Sequence, residues 1–211
     1  NLNYLEISNF KTENVIDFSF MFYGCVSLTS IYLYNFDTIK ATNMNSMFHG
    51  CILLKYLNLN RFNTTYVKNI ESMFFNCKSL ITLNFESFNP INVTHISNMF
   101  YGCSSLTSIN LNNFDTYHVI NMEKMFSECN ALTSINISNF ITSNVINMES
   151  MFNGCSSLIE LNFDINKFIT SSCVNMKSMF QNCASIKSIN LNNFDTTNVI
   201  NMENMFKGCS S

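Results

Sequence analysis

Cysteine recurs at a nearly constant spacing along this 211-residue chain, and that spacing is the strongest constraint on its fold. Eight of the nine cysteines are spaced by 26 residues, except for one interval of 28. They are Cys25, Cys51, Cys77, Cys103, Cys129, Cys155, Cys183 and Cys209. A Met-Phe pair precedes every one of them at the same distance. A repeat of this length, kept along the whole chain, indicates stacked structural units that bury a shared core.

Each unit carries two different hydrophobic periods. Within residues 119–140, Ile135 and Ile137 lie two apart between polar neighbours, which is typical of a strand with one polar face. Met122 and Met125 lie three apart in a stretch with helical spacing. The sequence therefore predicts an α/β fold. We expect a right-handed leucine-rich-repeat-like solenoid with one short parallel strand plus one short helical turn per 26-residue unit.

The residues that flank the expected helical turns agree with this prediction. The preceding position holds Asp17, Asn43, Asn69, His95, Asn121, Asn147, Asn175 and Asn201. Asp and Asn are good N-caps. All five glycines lie just before a cysteine, where a left-handed residue would end a helix. Asn76 and Asn182 replace glycine in two units, and Glu128 is the exception, where we expect local strain or a different turn.

We expect a single repeat array over residues 1–211, with eight strand segments. The chain is interpreted as a fragment that is uncapped at both ends, so self-association through the solenoid ends is possible. The one longer interval places two extra residues near 164–167. A bulged loop is predicted there, with the register restored after it.

A sequence motif indicates a family. The pattern Met-x-x-Met-Phe-x-Gly-Cys-Ser-Ser-Leu-Thr-Ser-Ile-Asn-Leu-x-Asn-Phe-Asp-Thr resembles the BspA-like leucine-rich-repeat surface proteins, a 26-residue-repeat bacterial surface and lipoprotein family. The resemblance covers essentially the whole chain, with departures at Cys173, in a Val position, and at the insertion. It implies a cell-surface or extracellular location and a role in adhesion or host interaction, and it supplies no catalytic residues.

The cysteines are expected to be free thiols inside the core. There is no Cys-x-x-Cys pair, and the three histidines fall in different positions of the unit, so we expect no metal and no cofactor. Stacked cysteines would lie about 5 Å apart, within disulfide range, but their side chains would point inward in parallel. Their number is also odd. Nine free thiols leave an intracellular location open.

Composition excludes several classes of function. Only 12% of residues are charged and the net charge is -3, so no nucleic acid partner is expected. No apolar run reaches the 18 or so residues needed to cross a membrane. No nucleophile and base recur in register, and no glycine loop is available to hold phosphate, so the chain is predicted not to be an enzyme.

The outward positions of the strands carry the candidate site. Asn occupies six middle positions, at Asn58, Asn84, Asn110, Asn136, Asn162 and Asn190. An amide ladder along the sheet is expected, which either solvates and fixes the array or binds a glycan or peptide. In the first units the outward positions hold Tyr4, Tyr32, Tyr34 and Tyr56 instead, with Lys55 and Arg61 nearby. Tyr and Arg are frequent at binding hot spots, although the tyrosines could also simply pack across strands.

The sequence therefore predicts non-enzymatic surface recognition or adhesion, with a host protein or glycan bound by the strand face. The candidate ligand-binding residues are Tyr4, Tyr32, Tyr34, Tyr56, Lys55, Arg61, Asn58, Asn84 and Asn110. The alternative is a structural spacer or a self-associating surface-layer array without a specific ligand. An intracellular scaffold is favoured only by the free thiols.

Overall fold

The computed structural model describes residues 2–211 as a stack of similar units whose short strands pair in parallel. The strands are β1 (Tyr4–Glu6), β2 (Ser30–Tyr32), β3 (Tyr56–Asn58), β4 (Thr82–Asn84), β5 (Ser134–Asn136) and β6 (Glu160–Asn162). They pair as β1–β2, β3–β4 and β5–β6. Tyr4 lies opposite Ser30, and Tyr56 lies opposite Thr82. Equivalent residues of successive units therefore lie side by side, as a solenoid requires.

Two of the eight expected strand segments do not form strands. Residues 108–110 and 188–190 occupy the strand position of their units but are not paired. The backbone groups of residues 108–110 form no hydrogen bond with a neighbouring unit. Their side chains keep the inward and outward alternation, because Leu111 is buried whereas Asn110 is exposed. The strand face therefore continues through these units without a continuous ladder.

The prediction of a helical turn is wrong. No helix occurs in residues 2–211, and the Met-Phe segments are runs of turns. Ser46, between Met44 and Met47, has a φ of +53°. A left-handed residue at that point ends a right-handed helix after one turn. The same conformation, with φ between 53° and 58°, recurs in every unit, at Phe20, Ser46, Ser72, Asn98, Lys124, Ser150, Ser178 and Asn204.

These Met-Phe turns bond to the next unit as a strand would. The Met47 N–H donates to Met44 O within the unit at 3.3 Å, whereas the Phe48 N–H donates to Met73 O of the next unit at 2.9 Å. The Gly50 N–H likewise reaches Phe75 O at 2.7 Å. Along this segment, N–H groups that donate within their own turn alternate with N–H groups that donate to the next unit. The buried backbone is therefore hydrogen-bonded without a helix. The fold is a solenoid of strands and turns.

The expected capping residues act as turn residues. The Asn43 Oδ1 accepts a hydrogen bond from the Asn45 N–H at 3.0 Å, and a parallel bridge joins Asn43 to Asn69 of the next unit. All five glycines have φ between +69° and +79°. Glu128 keeps the same turn with a φ of +60°, so this unit carries backbone strain, not a different turn.

A column of phenylalanines runs through the core. Its members are the buried Phe22, Phe48, Phe74, Phe100, Phe126, Phe152 and Phe180, and the half-exposed Phe206. Successive ring centroids are 5.3–5.8 Å apart and the ring planes are within 19° of parallel. Offset stacking at this distance is favourable in addition to the burial of area. The column explains why Phe is invariant in the Met-Phe pairs of this chain.

The cysteines lie beside this column, and all nine are free thiols in the structure. The Cys51 Sγ donates to the carbonyl of Phe22, in the preceding unit, at 3.2 Å, and the next cysteine, Cys77, donates to Phe48 O at 3.1 Å. Every periodically spaced cysteine from Cys51 to Cys209 makes the same bond to the preceding unit. Burial raises the pKa of the Cys51 thiol to about 12. Cysteine is therefore a small core residue that also satisfies a carbonyl.

A second column is polar, so the apolar pattern of the sequence does not reveal it. Its buried members are Thr12, Thr38, Thr64, Thr116, Thr142 and Thr170. The Thr116 Oγ1 donates to Ile141 O at 2.9 Å and accepts from the Ile141 N–H at 2.8 Å, so one hydroxyl joins two units. These threonines recur every 26 residues in the sequence, except that Pro90 takes one position and the insertion lengthens the last interval to 28.

The two extra residues form a local turn. The Phe168 N–H donates to Asp164 O at 2.8 Å, and the Asp164 Oδ1 accepts from the Asn166 N–H at 2.9 Å. Beyond this turn, Thr170 and Cys183 make the same inter-unit bonds as their equivalents. The insertion is thus confined to the surface loop.

Candidate functional site: the strand face

The outward side of β2, β3 and β4 surrounds an open depression of about 260 Å³. It is lined by Ser30, Ile31, Tyr32, Leu33, Tyr34, Tyr56, Leu57, Asn58, Thr82 and Asn84. Ile31, Leu33 and Leu57 are buried, because strand alternation turns them towards the core. The remaining residues present hydroxyl, amide and phenol groups. None of the ten carries a formal charge at neutral pH.

The tyrosines differ in how much of each ring is free. The ring centroids of Tyr4 and Tyr32 are 5.8 Å apart in an edge-to-face arrangement, and those of Tyr32 and Tyr34 are 5.5 Å apart and stacked. Tyr56 is 62% exposed and no other ring of residues 2–211 packs on it. Three tyrosines thus order one another, and the fourth presents an open aromatic face.

The hydrogen bonds show which polar groups are free to bind a ligand. The Tyr4 hydroxyl donates to Glu6 Oε2 at 3.1 Å, and this bond raises the pKa of Tyr4. Within residues 2–211, no hydrogen bond involves the hydroxyls of Tyr32, Tyr34 and Tyr56 or the side-chain amide of Asn84. These groups contact solvent in the free protein and can exchange water for a ligand.

The expected amide ladder along the middle row does not form. The Asn58 Oδ1 accepts a hydrogen bond from the Asn60 N–H at 3.0 Å, and Asn110 and Asn136 make the same local bond. No bond joins two middle-row amides in the described part of the chain. Each strand has only three residues, so a turn N–H lies within reach two positions later.

Amide bonds between units occur in a different row. The Asn139 Nδ2 donates to Asn112 O of the preceding unit at 2.7 Å. Arg61 occupies the equivalent position in its own unit, and its Nη1 donates to Tyr34 O at 3.3 Å. Arg61 therefore joins two loops at the border of the depression.

The structure brings together five of the nine residues singled out from the sequence. Tyr32, Tyr34, Tyr56, Asn58 and Asn84 line the depression. The four that lie outside the lining are Tyr4, Lys55, Arg61 and Asn110.

Sequence reasoning missed two outward-facing lining residues, Ser30 and Thr82. Both occupy the first outward position of their strands, so the repeat register was the signal that could have identified them. In residues 2–211 no cluster of three or more His, Cys, Asp or Glu side chains could hold a metal ion. Within the same range there is no helix of the length and hydropathy needed to span a membrane.

Solved structures share this architecture. A leucine-rich-repeat protein of T. pallidum, TpLRR, superposes with a TM-score of 0.50 over 88% of this chain and 77% of that one, at 21% identity. A leucine-rich cell surface protein of Faecalibacterium prausnitzii matches over 90% and 67% at 19% identity, with a TM-score of 0.38. A leucine-rich-repeat protein of Bacteroides ovatus matches over 99% and 62% at 17% identity, with a TM-score of 0.47. The likeness to TpLRR confirms a fold of the bacterial leucine-rich-repeat kind.

Sequence comparison gives a family. A family model described as Mycoplasma protein of unknown function, DUF285, matches residues 1–109, 75–160 and 95–211. These overlapping matches together span the whole chain. None of the curated proteins matches it.

Proposed function

This chain belongs to the DUF285 family, and we propose that it is a non-enzymatic recognition protein that binds a host protein or glycan through its strand face. The observation that carries the proposal is the depression on β2–β4, where three tyrosines and an unengaged amide meet. Exposed tyrosine beside serine, threonine and asparagine is the composition of binding surfaces that bind with little loss of side-chain freedom.

Two tyrosines of the strand face already stack on each other in the free protein, which favours binding. The side chains of this face project from short strands that each pair in parallel with one neighbour, β1 with β2 and β3 with β4. The Tyr32 and Tyr34 rings are stacked in the free protein, so little ordering is needed when a partner arrives. The residues that differ between units are therefore presented on a constant frame.

A location at the cell surface is part of the proposal and follows from the resemblance of the repeat to surface leucine-rich-repeat proteins. Nine free thiols are the observation that favours the opposite location. Protease treatment of intact cells that express the full-length protein tests this point. Cleavage before the cells are lysed supports a surface location, and protection until lysis contradicts it.

The binding role is tested with a triple variant, Tyr32→Ser, Tyr34→Ser and Tyr56→Ser. A matched control, Tyr66→Ser with Tyr117→Ser, removes two tyrosines that are equally exposed but lie outside the depression. Wild type and both variants are applied to immobilised extracellular-matrix proteins and to glycans, after circular dichroism shows equal folding. We expect the triple variant alone to lose binding, by at least tenfold.

The competing function is a structural spacer or a self-associating surface layer. It predicts assembly that increases with protein concentration and is the same in wild type and triple variant, with no ligand bound by either. Light scattering coupled to size-exclusion chromatography measures this directly. Concentration-dependent assembly without any bound ligand would replace recognition with the structural function.

A further inference from the structure

We infer that the depression on β2–β4 takes a neutral pyranose sugar, which stacks on the open ring of Tyr56. This inference rests on the proposed function and narrows its ligand to one chemical class. Four observations support it: the size of the depression, its charge, its free aromatic face and its unengaged polar groups.

The size of the depression favours one small ring. Its volume is about 260 Å³, below the roughly 300–1,000 Å³ of sites that bind drug-sized molecules. It is open to solvent at the strand face, so further sugar residues of a chain can extend outward. A peptide segment with several side chains would need a longer groove, and the outward positions of the unit after β4, Ser108, Asn110 and Asn112, are short side chains that form no walls.

The charge of the depression favours a neutral ligand. None of its lining residues is charged, so a carboxylate or ammonium group in it would lose water without gaining a counter-charge. The charged groups nearby are outside the lining. Arg61 donates to a backbone carbonyl, and Glu6 accepts hydrogen bonds from Tyr4 and Ser8 at 3.1 and 3.3 Å.

Tyr56 supplies the stacking surface. It is the most exposed of the four strand-face tyrosines, and within residues 2–211 its ring has no aromatic partner. One face of a pyranose presents C–H groups, while its rim presents hydroxyls. A phenol ring offers an apolar face with a polar tip, which complements that division. Tyr32 and Tyr34 stack on each other and so form an ordered side wall.

The polar groups around Tyr56 match sugar hydroxyls, which both donate and accept. Asn84 offers an amide donor and an amide acceptor, and neither makes a hydrogen bond in the part of the chain that the structure describes. Thr82 and Ser30 add hydroxyls of both capacities. The next middle-row residue, Asn110, already gives its oxygen to the Asn112 N–H. Asn58 makes the same local bond within the depression, so among the middle-row asparagines of residues 2–211 only Asn84 has a side chain without a hydrogen bond.

The chain itself provides the assay, because it contains eight tyrosines and no tryptophan. Tyrosine fluorescence is titrated with the methyl glycosides of glucose, galactose, mannose and N-acetylglucosamine, and with glucuronic and sialic acid as charged probes. At least one neutral glycoside is expected to change the fluorescence with a Kd of about 1 mM, as fits a ligand of this size. The charged sugars should bind at least tenfold more weakly.

Variants locate the sugar. Tyr56→Ala and Asn84→Ala should each weaken binding about tenfold or more, whereas Tyr56→Phe keeps the ring and should bind nearly as wild type. Tyr66→Ala is the matched control, because Tyr66 is similarly exposed but outside the depression. Equal binding by wild type and Tyr56→Ala overturns the inference, and so does tighter binding of a charged sugar.

The outcomes separate this inference from the proposed function. If no sugar binds but a matrix protein binds and is lost in the tyrosine triple variant, the sugar inference fails and recognition by the strand face stands. If neither sugars nor matrix proteins bind, both fail. If a neutral glycoside binds through Tyr56 and Asn84, both are supported.

Discussion

Replacing Thr116 with valine tests the polar column directly. The substitution removes a fully buried hydroxyl that accepts from the Ile141 N–H at 2.8 Å and donates to Ile141 O at 2.9 Å. Each buried backbone group left without a partner costs about 1–3 kcal/mol. Because valine closely matches threonine in shape, little cavity cost is added. We expect Thr116→Val to lower the free energy of unfolding by about 2–4 kcal/mol.

Urea denaturation followed by circular dichroism measures this loss. With a slope of about 2 kcal/mol per molar urea, the midpoint should fall by roughly 1–2 M. Thr133→Val is the matched control, since Thr133 is exposed and its hydroxyl has no partner within residues 2–211. Hydrogen exchange at the Ile141 amide should accelerate in the Thr116 variant only. Equal midpoints for the two variants would refute the role assigned to the hydroxyl.

Three further changes probe the core, the strained turn and the thiols. Phe126→Ala opens the phenylalanine column between two stacked neighbours and should cost about 3–5 kcal/mol, measured by urea denaturation. Glu128→Gly relieves a φ of +60° and should raise the free energy of unfolding by about 1 kcal/mol, so a lower urea midpoint would contradict the strain. Burial raises the pKa of Cys103 from 9.0 to about 12. The unfolded chain therefore releases this proton first, and stability should fall from about pH 9 to about pH 12, less steeply in Cys103→Ala.

The regular spacing of the cysteines was enough to predict stacked units, their register and the left-handed backbone conformation of the glycines. It could not predict that the Met-Phe segments avoid a helix. Two successive turns place Met44, Met47 and Phe48 on the same side, as a helix would, so the apolar spacing does not separate the two. The deciding residue, Ser46, has a left-handed backbone, but its equivalents include Phe20 and Lys124, which carry no such signal.

The sequence predicted those features of the candidate site that follow from the repeat register, namely which side chains share the outward face. Strand alternation was enough to place Tyr32 and Tyr56 on one face with Asn58. The direction of the asparagine amides could not be predicted, because each amide oxygen accepts a hydrogen bond from a turn N–H two residues later. Arg61 shows the same limit: its charge suggested ligand binding, whereas its guanidinium also donates to a loop carbonyl.

The alternating bonds of the Met-Phe turns have a mechanical consequence. Each unit adds only about 5 Å to the length of the stack, yet its 26 residues extend to roughly 90 Å when pulled straight. Tension along the stack loads the interfaces in series, and the weakest opens first while the others stay closed. A stack built this way lengthens stepwise by many times its resting thickness. A ligand held at β2–β4 would therefore feel a pull that is limited by the weakest interface elsewhere in the stack.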